Sequence, residues 1–387
     1  MNMGFTRRQF LLSSAGASLL RGAEAPTAPV AVAKCKTYNP SELTAVMGRM
    51  FDQLGGLGRL VGGKTVAIKV NLTGSPTYRL GYEPLELTHW THPNVIAAAA
   101  HLMGRAGASR IRVLESPWST ADAVEEYLLQ GNVEPRDILS AAPRVEFENT
   151  NFLGRGKKYS RFPVPNGGHI YKAIDLNHSY EDCDVFVSIA KLKDHATAGI
   201  TCSMKNCFGS TPCTIYGEGA GIDEPSELPR GGRGMFHSGH RQPSKSSLPE
   251  NDPTTPREGG YRVPRVVADI VAARPIHLAI VEGIVTMAGG EGPWIGNDLP
   301  VVAPGVLIAG TNCVTTDAVC MGVMNYDSMA ERGTPPFERC DSTLQLAEMH
   351  GVGTRDMRRI EVIGTPIKDA MFDFADLRRK WSRTRRS

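Results

Sequence analysis

Short, nearly continuous apolar runs alternate along this chain with stretches whose apolar positions recur every three or four residues, which predicts strands and amphipathic helices in turn. The runs place strands at Thr65 to Val70, Arg110 to Leu114, Asp184 to Ile189, His277 to Val281, Val306 to Ala309 and Ile360 to Ile363. Helical spacing or composition marks Pro93 to Gly104, Ala121 to Gln130, Val263 to Ala273, Thr316 to Met324 and Ser342 to Met349. Strands separated by helices need crossover connections, so the expected fold class is α/β, a mostly parallel sheet with helices on both faces. From Gly209 to Gly260 the periodicity fails. There 10 Gly and 7 Pro among 52 residues predict a long irregular insertion, expected to act as a lid over a functional site.

The two ends read differently from the body. Thr6-Arg7-Arg8-Gln9-Phe10-Leu11-Leu12, a short apolar run to Leu20 and an Ala-rich exit resemble a twin-arginine export signal. Ala31-Val32-Ala33 reads as the cleavage site. Residues 1–33 are therefore assigned to a signal peptide, 34–370 to the α/β domain with 209–260 inside it, and 371–387 to a basic C-terminal tail, expected to be frayed and solvated. Such a leader makes the twin-arginine translocase a partner during export and predicts a periplasmic or otherwise exported protein.

At 387 residues, 41% hydrophobic and 21% charged, the chain has the material for a large buried core, which excludes general disorder. No segment after the leader reaches the ~18 apolar residues of a membrane span. The formal charge is +3, but setting aside the six basic residues among the last ten and a net +2 in the leader leaves about −5 on the body. That balance excludes a general nucleic-acid binder.

In open parallel sheets, ligands bind beyond the carboxyl ends of the strands, where loops converge and helix N-termini offer free N–H groups. Lys69 closes the first predicted strand and Asn71 follows it; Glu115 follows the second; Lys191, Lys193, Asp194 and His195 follow the Asp184 strand; Glu282 follows the His277 strand. Lys69, Lys191, Lys193 and Lys205 gathered at one rim would hold a carboxylate, phosphate or other small anion. His195 is the nearby group whose free pKa suits proton transfer at neutral pH. The expected catalytic residues are thus His195, Lys193 and Lys205, with Lys69, Asn71, Lys191 and Asn206 shaping the ligand site. Glu282 and Asp317 either balance the lysines or bind a hard cation. Gly290 and Gly292 sit in the Gly289 to Gly296 loop, which has neither the Walker nor the dinucleotide spacing, so close approach to a ligand and a plain turn both stay open. Cys202, Cys207 and Cys213 form the one cysteine cluster of the sequence, a C-x4-C-x5-C run. It leaves an iron–sulfur cluster or a divalent metal open as a cofactor, beside the plainer reading of buried or disulfide-bonded cysteines.

Val187-Ser188-Ile189-Ala190-Lys191-Leu192-Lys193-Asp194-His195, followed by Met204-Lys205-Asn206-Cys207-Phe208-Gly209, resembles the core motif of the domain-of-unknown-function family DUF362. So do Lys69-Val70-Asn71-Leu72, Val281-Glu282-Gly283-Ile284 with the Gly289 to Gly296 loop, and Ala309-Gly310-Thr311-Asn312 leading to Thr316-Asp317-Ala318. The likeness runs from about Val66 to Gly364. It implies an α/β domain and little settled chemistry. Some members append a ferredoxin-like segment with tightly spaced Cys, which this sequence lacks, and members usually have Asp where this chain has Glu282. His195-Ala196-Thr197-Ala198-Gly199 with Lys205 is also similar to the N-terminal domain of nickel-pincer lactate racemases, where the His would act as acid/base on a 2-hydroxy acid and the Lys would hold the cofactor. This chain departs from them at Cys202-Ser203-Met204, where the racemases have a Gly pair, and has no His at the expected metal ligand.

Three readings stand at this stage. The first is an exported protein whose Lys/His crevice binds a small anionic ligand or cofactor and does proton-transfer or redox chemistry on it. The second is an iron–sulfur or metal protein using Cys202, Cys207 and Cys213. The third is a non-catalytic anion-binding periplasmic module.

Overall fold

Eight strands form one sheet in the computed structural model, which describes residues 24–118, 120–151, 159–220, 228–239 and 248–384. The strands are β1 (Val30–Lys34), β2 (Thr65–Lys69), β3 (Arg110–Glu115), β4 (Val145–Asn149), β5 (Val185–Lys191), β6 (Leu278–Gly283), β7 (Val306–Gly310) and β8 (Val362–Gly364). Their order across the sheet is β8-β1-β7-β6-β5-β2-β3-β4. Only β7 runs against its neighbours β1 and β6; every other pairing is parallel. The expected fold class holds.

Alternation along the buried strands divides the core into two layers. Val185, Val187 and Ile189 of β5 point to the layer formed by α1 (Pro40–Gln53), α2 (Pro93–Arg105) and α3 (Val124–Gln130). Phe186 and Ala190 point to the other, with α4 (Cys202–Asn206), α5 (Gly259–Ala273), α6 (Cys313–Val323) and α7 (Thr343–Met349). Helix starts follow local chemistry: Pro40 occupies the first turn of α1 while Asn39 accepts from the N–H groups of Ser41 and Glu42, and Asn312 caps α6 through Val314 and Thr315. Every predicted strand and helix overlaps an observed one.

Two boundaries need correction. The residues assigned to a cleavage site are the interior of β1: Val30, Ala31 and Val32 are buried and pair with β7 on one side and β8 on the other. The fold therefore begins before residue 34, and Ala25 and Pro26 already accept hydrogen bonds from Arg359 and Thr354. The Arg7-Arg8 leader motif lies outside the described residues. At the other end the basic tail is not frayed along its whole length. Phe374–Thr384 forms helix α8, whose Arg378 reaches the buried Asp194 at 3.4 Å and Glu338 at 2.8 Å.

The Gly/Pro-rich insertion is largely irregular, as expected; part of it packs into the body, while Asn251 to Thr254 is exposed. Met235 and Phe236 are buried in the core, and Glu250 pairs with the fully buried Arg262 of α5 at 2.7 Å. No helix of the described residues is long and apolar enough to cross a membrane.

Candidate functional site

The chain runs β2 to β3 to β4 towards one edge, then returns to place β5 on the other side of β2. That reversal leaves a crevice at the carboxyl ends of β2 and β5, the general location of ligand sites in open α/β sheets. A cavity of about 370 Å³ opens there. Lys69 at the end of β2 and Asn71 after it, Glu115 at the end of β3, Lys193 and His195 after β5, and Lys205 and Asn206 on α4 all line it. Three of the four lysines expected at one rim, with His195, thus share one cavity.

Several of these residues build the walls. Lys69 Nζ contacts Glu115 Oε1 at 2.6 Å and the Val70 carbonyl at 2.5 Å, and both groups are buried. Asn206 donates Nδ2–H to the Lys69 carbonyl, to Ser188 Oγ and to the Ile189 carbonyl, clamping β2 to β5. Lys193 donates to the carbonyls of His89 and Glu291 at 3.1 and 2.8 Å, which among the described residues leaves one of its three ammonium protons uncommitted. Burial pulls its pKa well below the ordinary lysine value.

Lys205 differs from the other lysines. Among the described residues it makes no hydrogen bond and no ion pair; its Nζ sits 4.2 Å from the centre of the Phe208 ring. Burial, then Arg233 and Lys69, lower its pKa to about 7 against the pull of Glu291. Two neutral groups on the same lining are also unspent: Asn71 Oδ1 and Thr201 Oγ1 are buried without a partner among the described residues. Buried polar atoms are seldom left this way unless something else completes them.

His195 sits on a small hairpin in which Asp194 and His195 pair with Ile200 and Gly199. The Thr197 N–H donates to His195 Nδ1 at 3.1 Å, while Glu291 Oε2 is 3.9 Å away. A backbone N–H can only donate, so Nδ1 is the acceptor and the ring proton is on Nε2. Burial, then Lys205 and Lys193, hold its pKa well below 6.5. The expectation that His195 titrates near neutrality is therefore corrected: it is a neutral N–H donor.

The insertion supplies what the sequence reading did not select. Arg233 spends Nε on Thr211 and Nη2 on the carbonyls of Ser116 and Gly209, leaving Nη1 without a hydrogen bond among the described residues. His237 bonds the Arg233 carbonyl through Nδ1 at 2.9 Å; the carbonyl can only accept, so Nδ1 carries the proton and Nε2 keeps its lone pair. Burial lowers the pKa of His237 to about 4. Both line the cavity, with Tyr78, Trp118, Glu291 and Trp294. The Gly231-Gly232-Arg233-Gly234 and His237-Ser238-Gly239-His240 runs were the available signal, but without periodicity nothing placed them against the rim.

Other expected site residues lie elsewhere. Lys191 does not line the cavity. It is spent on Glu282 Oε1 and the Glu86 carbonyl, each at 2.6 Å, and Glu282 also takes the hydroxyl of Tyr38 and the N–H of His92. Asp317 accepts from the N–H groups of Ser203 and Met204 and from Ser203 Oγ, fixing the first turn of α4. Gly290 and Gly292 make room for Ile295 and Trp294 side chains. Cys202, Cys207 and Cys213 are buried free thiols that do not converge. Among the described residues, ligand-type atoms gather in threes within 4.8 Å at Cys202, Asp317 and Cys320, and at His169, Asp269 and His350. The proposed three-cysteine set is therefore corrected, because α4 turns Cys202 towards α6 instead.

A family model described as "Domain of unknown function (DUF362)" matches residues 66–322, more than half of the chain. It contains all the motifs on which the resemblance rested. The thylakoid-associated protein sll1697 of Synechocystis sp. is 30% identical over 187 residues, covering 47% of this chain and 50% of that protein. This chain thus spans about half the length of the curated relative it matches. Among solved structures, the lactate racemase apoprotein of Thermoanaerobacterium thermosaccharolyticum aligns at a TM-score of 0.36 and 10% identity, over 75% of this chain and 55% of that one. A Thermotoga maritima protein aligns at 0.33 and 13%, over 66% and 52%. These scores are too low for either likeness to bear on the site.

Proposed function

The chain belongs to the DUF362 family, and on that footing we propose that its cavity binds a small organic anion and catalyses acid–base chemistry on it. The observation that carries this reading is Lys205, a cation that among the described residues has neither hydrogen bond nor ion pair, on a cavity lined by Asn71 Oδ1 and Thr201 Oγ1, which likewise find no partner there. Lys205 is half-buried; a cation drawn out of water without a partner is costly to keep, and such groups cluster at functional sites. Arg233 Nη1 and the third proton of Lys193 join Lys205 in holding the anionic group. Lys205, with a pKa of about 7, exchanges a proton at neutral pH. His195 donates its Nε2–H to a carbonyl or hydroxyl oxygen of the ligand, and His237 offers the opposite polarity through its Nε2 lone pair.

The leader motif supports export by the twin-arginine route, with the translocase as partner and the periplasm as destination. The test of the site is a thermal-shift screen of small organic anions against wild type and Lys205→Met, followed by proton NMR of each stabilising anion in deuterated buffer. Stabilisation in wild type alone, with loss of a C–H signal from the anion, is the expected result. Equal stabilisation of the variant overturns the site, and stabilisation without turnover leaves a binding module. Metal content of the same preparation tests the Cys202, Asp317 and Cys320 group.

A further inference from the structure

The cavity has a second chemistry opposite its cations. Trp118 and Trp294 are 39% and 41% exposed and Tyr78 is 36% exposed, although large aromatic side chains are normally well covered. All three line the same cavity as Lys205 and Arg233. Tyr78 joins the two indoles, its ring centre 5.7 Å from that of Trp118 and 6.0 Å from that of Trp294. The rings form one continuous rim.

The indoles are seated on bare backbone. A Cβ at Gly232 would lie 2.4 Å from Trp118 Nε1, and one at Gly74 would lie 2.4 Å from Trp294 Cζ3. A Cβ at Gly292 would come within 2.1 Å of Trp294 Cη2. Gly74 also has φ of +78°, where a side chain is strained in any case. Trp294 is oriented further by donating Nε1–H to Glu291 Oε1 at 3.3 Å, and Glu291 in turn accepts the Ala196 N–H beside His195. Backbone that admits no side chain holds one part of each ring in place while a large part stays open.

We propose that the anion bound here carries a flat unsaturated ring, whose face lies on Trp294 and Trp118 while its carboxylate reaches Lys205 and Arg233. The inference rests on the anion-site reading above and adds the ligand class to it. Because rim and cations belong to one cavity of about 370 Å³, a single small molecule touches both. A saturated ring of similar size offers no flat π-face to the indoles, so planarity is the property selected.

Titration of the full chain with acetate, benzoate, 3-phenylpropionate and cyclohexanecarboxylate, followed by tryptophan fluorescence and calorimetry, tests it. Benzoate or 3-phenylpropionate is expected to bind about tenfold more tightly than cyclohexanecarboxylate, the scale of one aromatic stacking contact. Trp294→Leu and Trp118→Leu, checked for an unchanged melting profile, should each collapse the ratio of aromatic to acetate affinity, whereas Lys205→Met should abolish binding of every member. Aromatic preference that survives both tryptophan substitutions, or equal affinity for the saturated ring, overturns the ring assignment while leaving the anion site standing. Absence of binding by all four carboxylates overturns both.

Discussion

The backbone N–H of Thr197 donates to Nδ1 of His195 across 3.1 Å, and this contact sets what the imidazole offers the cavity. With Nδ1 taken as an acceptor, the neutral ring carries its proton on Nε2, and burial, then the charges of Lys205 and Lys193, resist a second proton. Nitrogen-15 NMR should therefore show the His195 ring as the Nε2–H tautomer at pH 7, still neutral as pH falls below the free histidine value of ~6.5. His195→Ala should remove that signal and cut turnover about a hundredfold or more while the fold persists. A His195 midpoint near its free value would remove the donor role.

Lys205 ties stability to function with opposite signs. Its folded pKa of about 7 lies below the usual lysine value, so the unfolded chain holds a proton that the folded chain has lost between about pH 7 and pH 10.5. The penalty of burying this charge is complete below pH 7 and is relieved as pH rises through that window. Lys205→Met should stabilise the ligand-free protein at pH 6.5 by about 1 kcal/mol or more, with the advantage fading towards pH 10. Urea denaturation of both proteins at several pH values measures this. A variant less stable than wild type at pH 6.5 would mean that Lys205 is held by its surroundings rather than reserved for a ligand.

The rim was legible because four parallel strands end in polar residues, and a parallel sheet puts those ends on one side. Lys69, Lys193 and His195 follow from that rule; Lys205 and Asn206 sit on α4 rather than at a strand end, and stood in the Met204 to Gly209 motif. Lys191 does not, because its fate depends on register: β5 and β6 pair Lys191 directly with Glu282, and the two charges neutralise each other away from the cavity. Arg233 and His237 were hidden in a segment whose helix, Gly234–His237, is too short to leave a period. At the N-terminus, Val30 to Lys34 is apolar and small-residue rich, a composition that suits the exit of a leader and a buried strand equally well.

That ambiguity has a direct test. Removing residues 1–33 deletes β1 from between β7 and β8 and exposes both flanking edges, whereas removing residues 1–23 leaves all eight described strands in place. A chain starting at Glu24 should melt cooperatively; one starting at Lys34 should be insoluble or lack a cooperative transition. If the leader is cleaved on export, mass spectrometry should accordingly find the mature N-terminus before Pro26. Equal melting temperatures for the two truncated chains would show that β1 is dispensable.

Helix α8 reaches the site through one ion pair. Asp194 is fully buried and precedes His195; its Oδ2 accepts the Gly289 N–H at 2.6 Å, and its Oδ1 accepts from Tyr326 at 2.7 Å and from Arg378 at 3.4 Å. Burial raises the pKa of Asp194, opposed first by Arg378. A carboxyl whose folded pKa is raised binds more protons than in the unfolded chain, so its contribution to stability falls as pH climbs from about 4 through the folded value. Arg378→Ala removes the opposing charge and steepens that fall. The variant should lose about 2 kcal/mol at pH 8, less than the ~3–5 typical of breaking a tight buried pair because this contact is long and Arg378 is partly exposed, and it should lose less at pH 5. Adding Asp194→Asn to Arg378→Ala should restore most of the loss at pH 8 by removing the uncompensated charge. Denaturation of the single and double variants at both pH values decides the matter, and a loss independent of pH, unrelieved by Asp194→Asn, would assign Arg378 to packing of the C-terminal helix instead of to the charge beside His195.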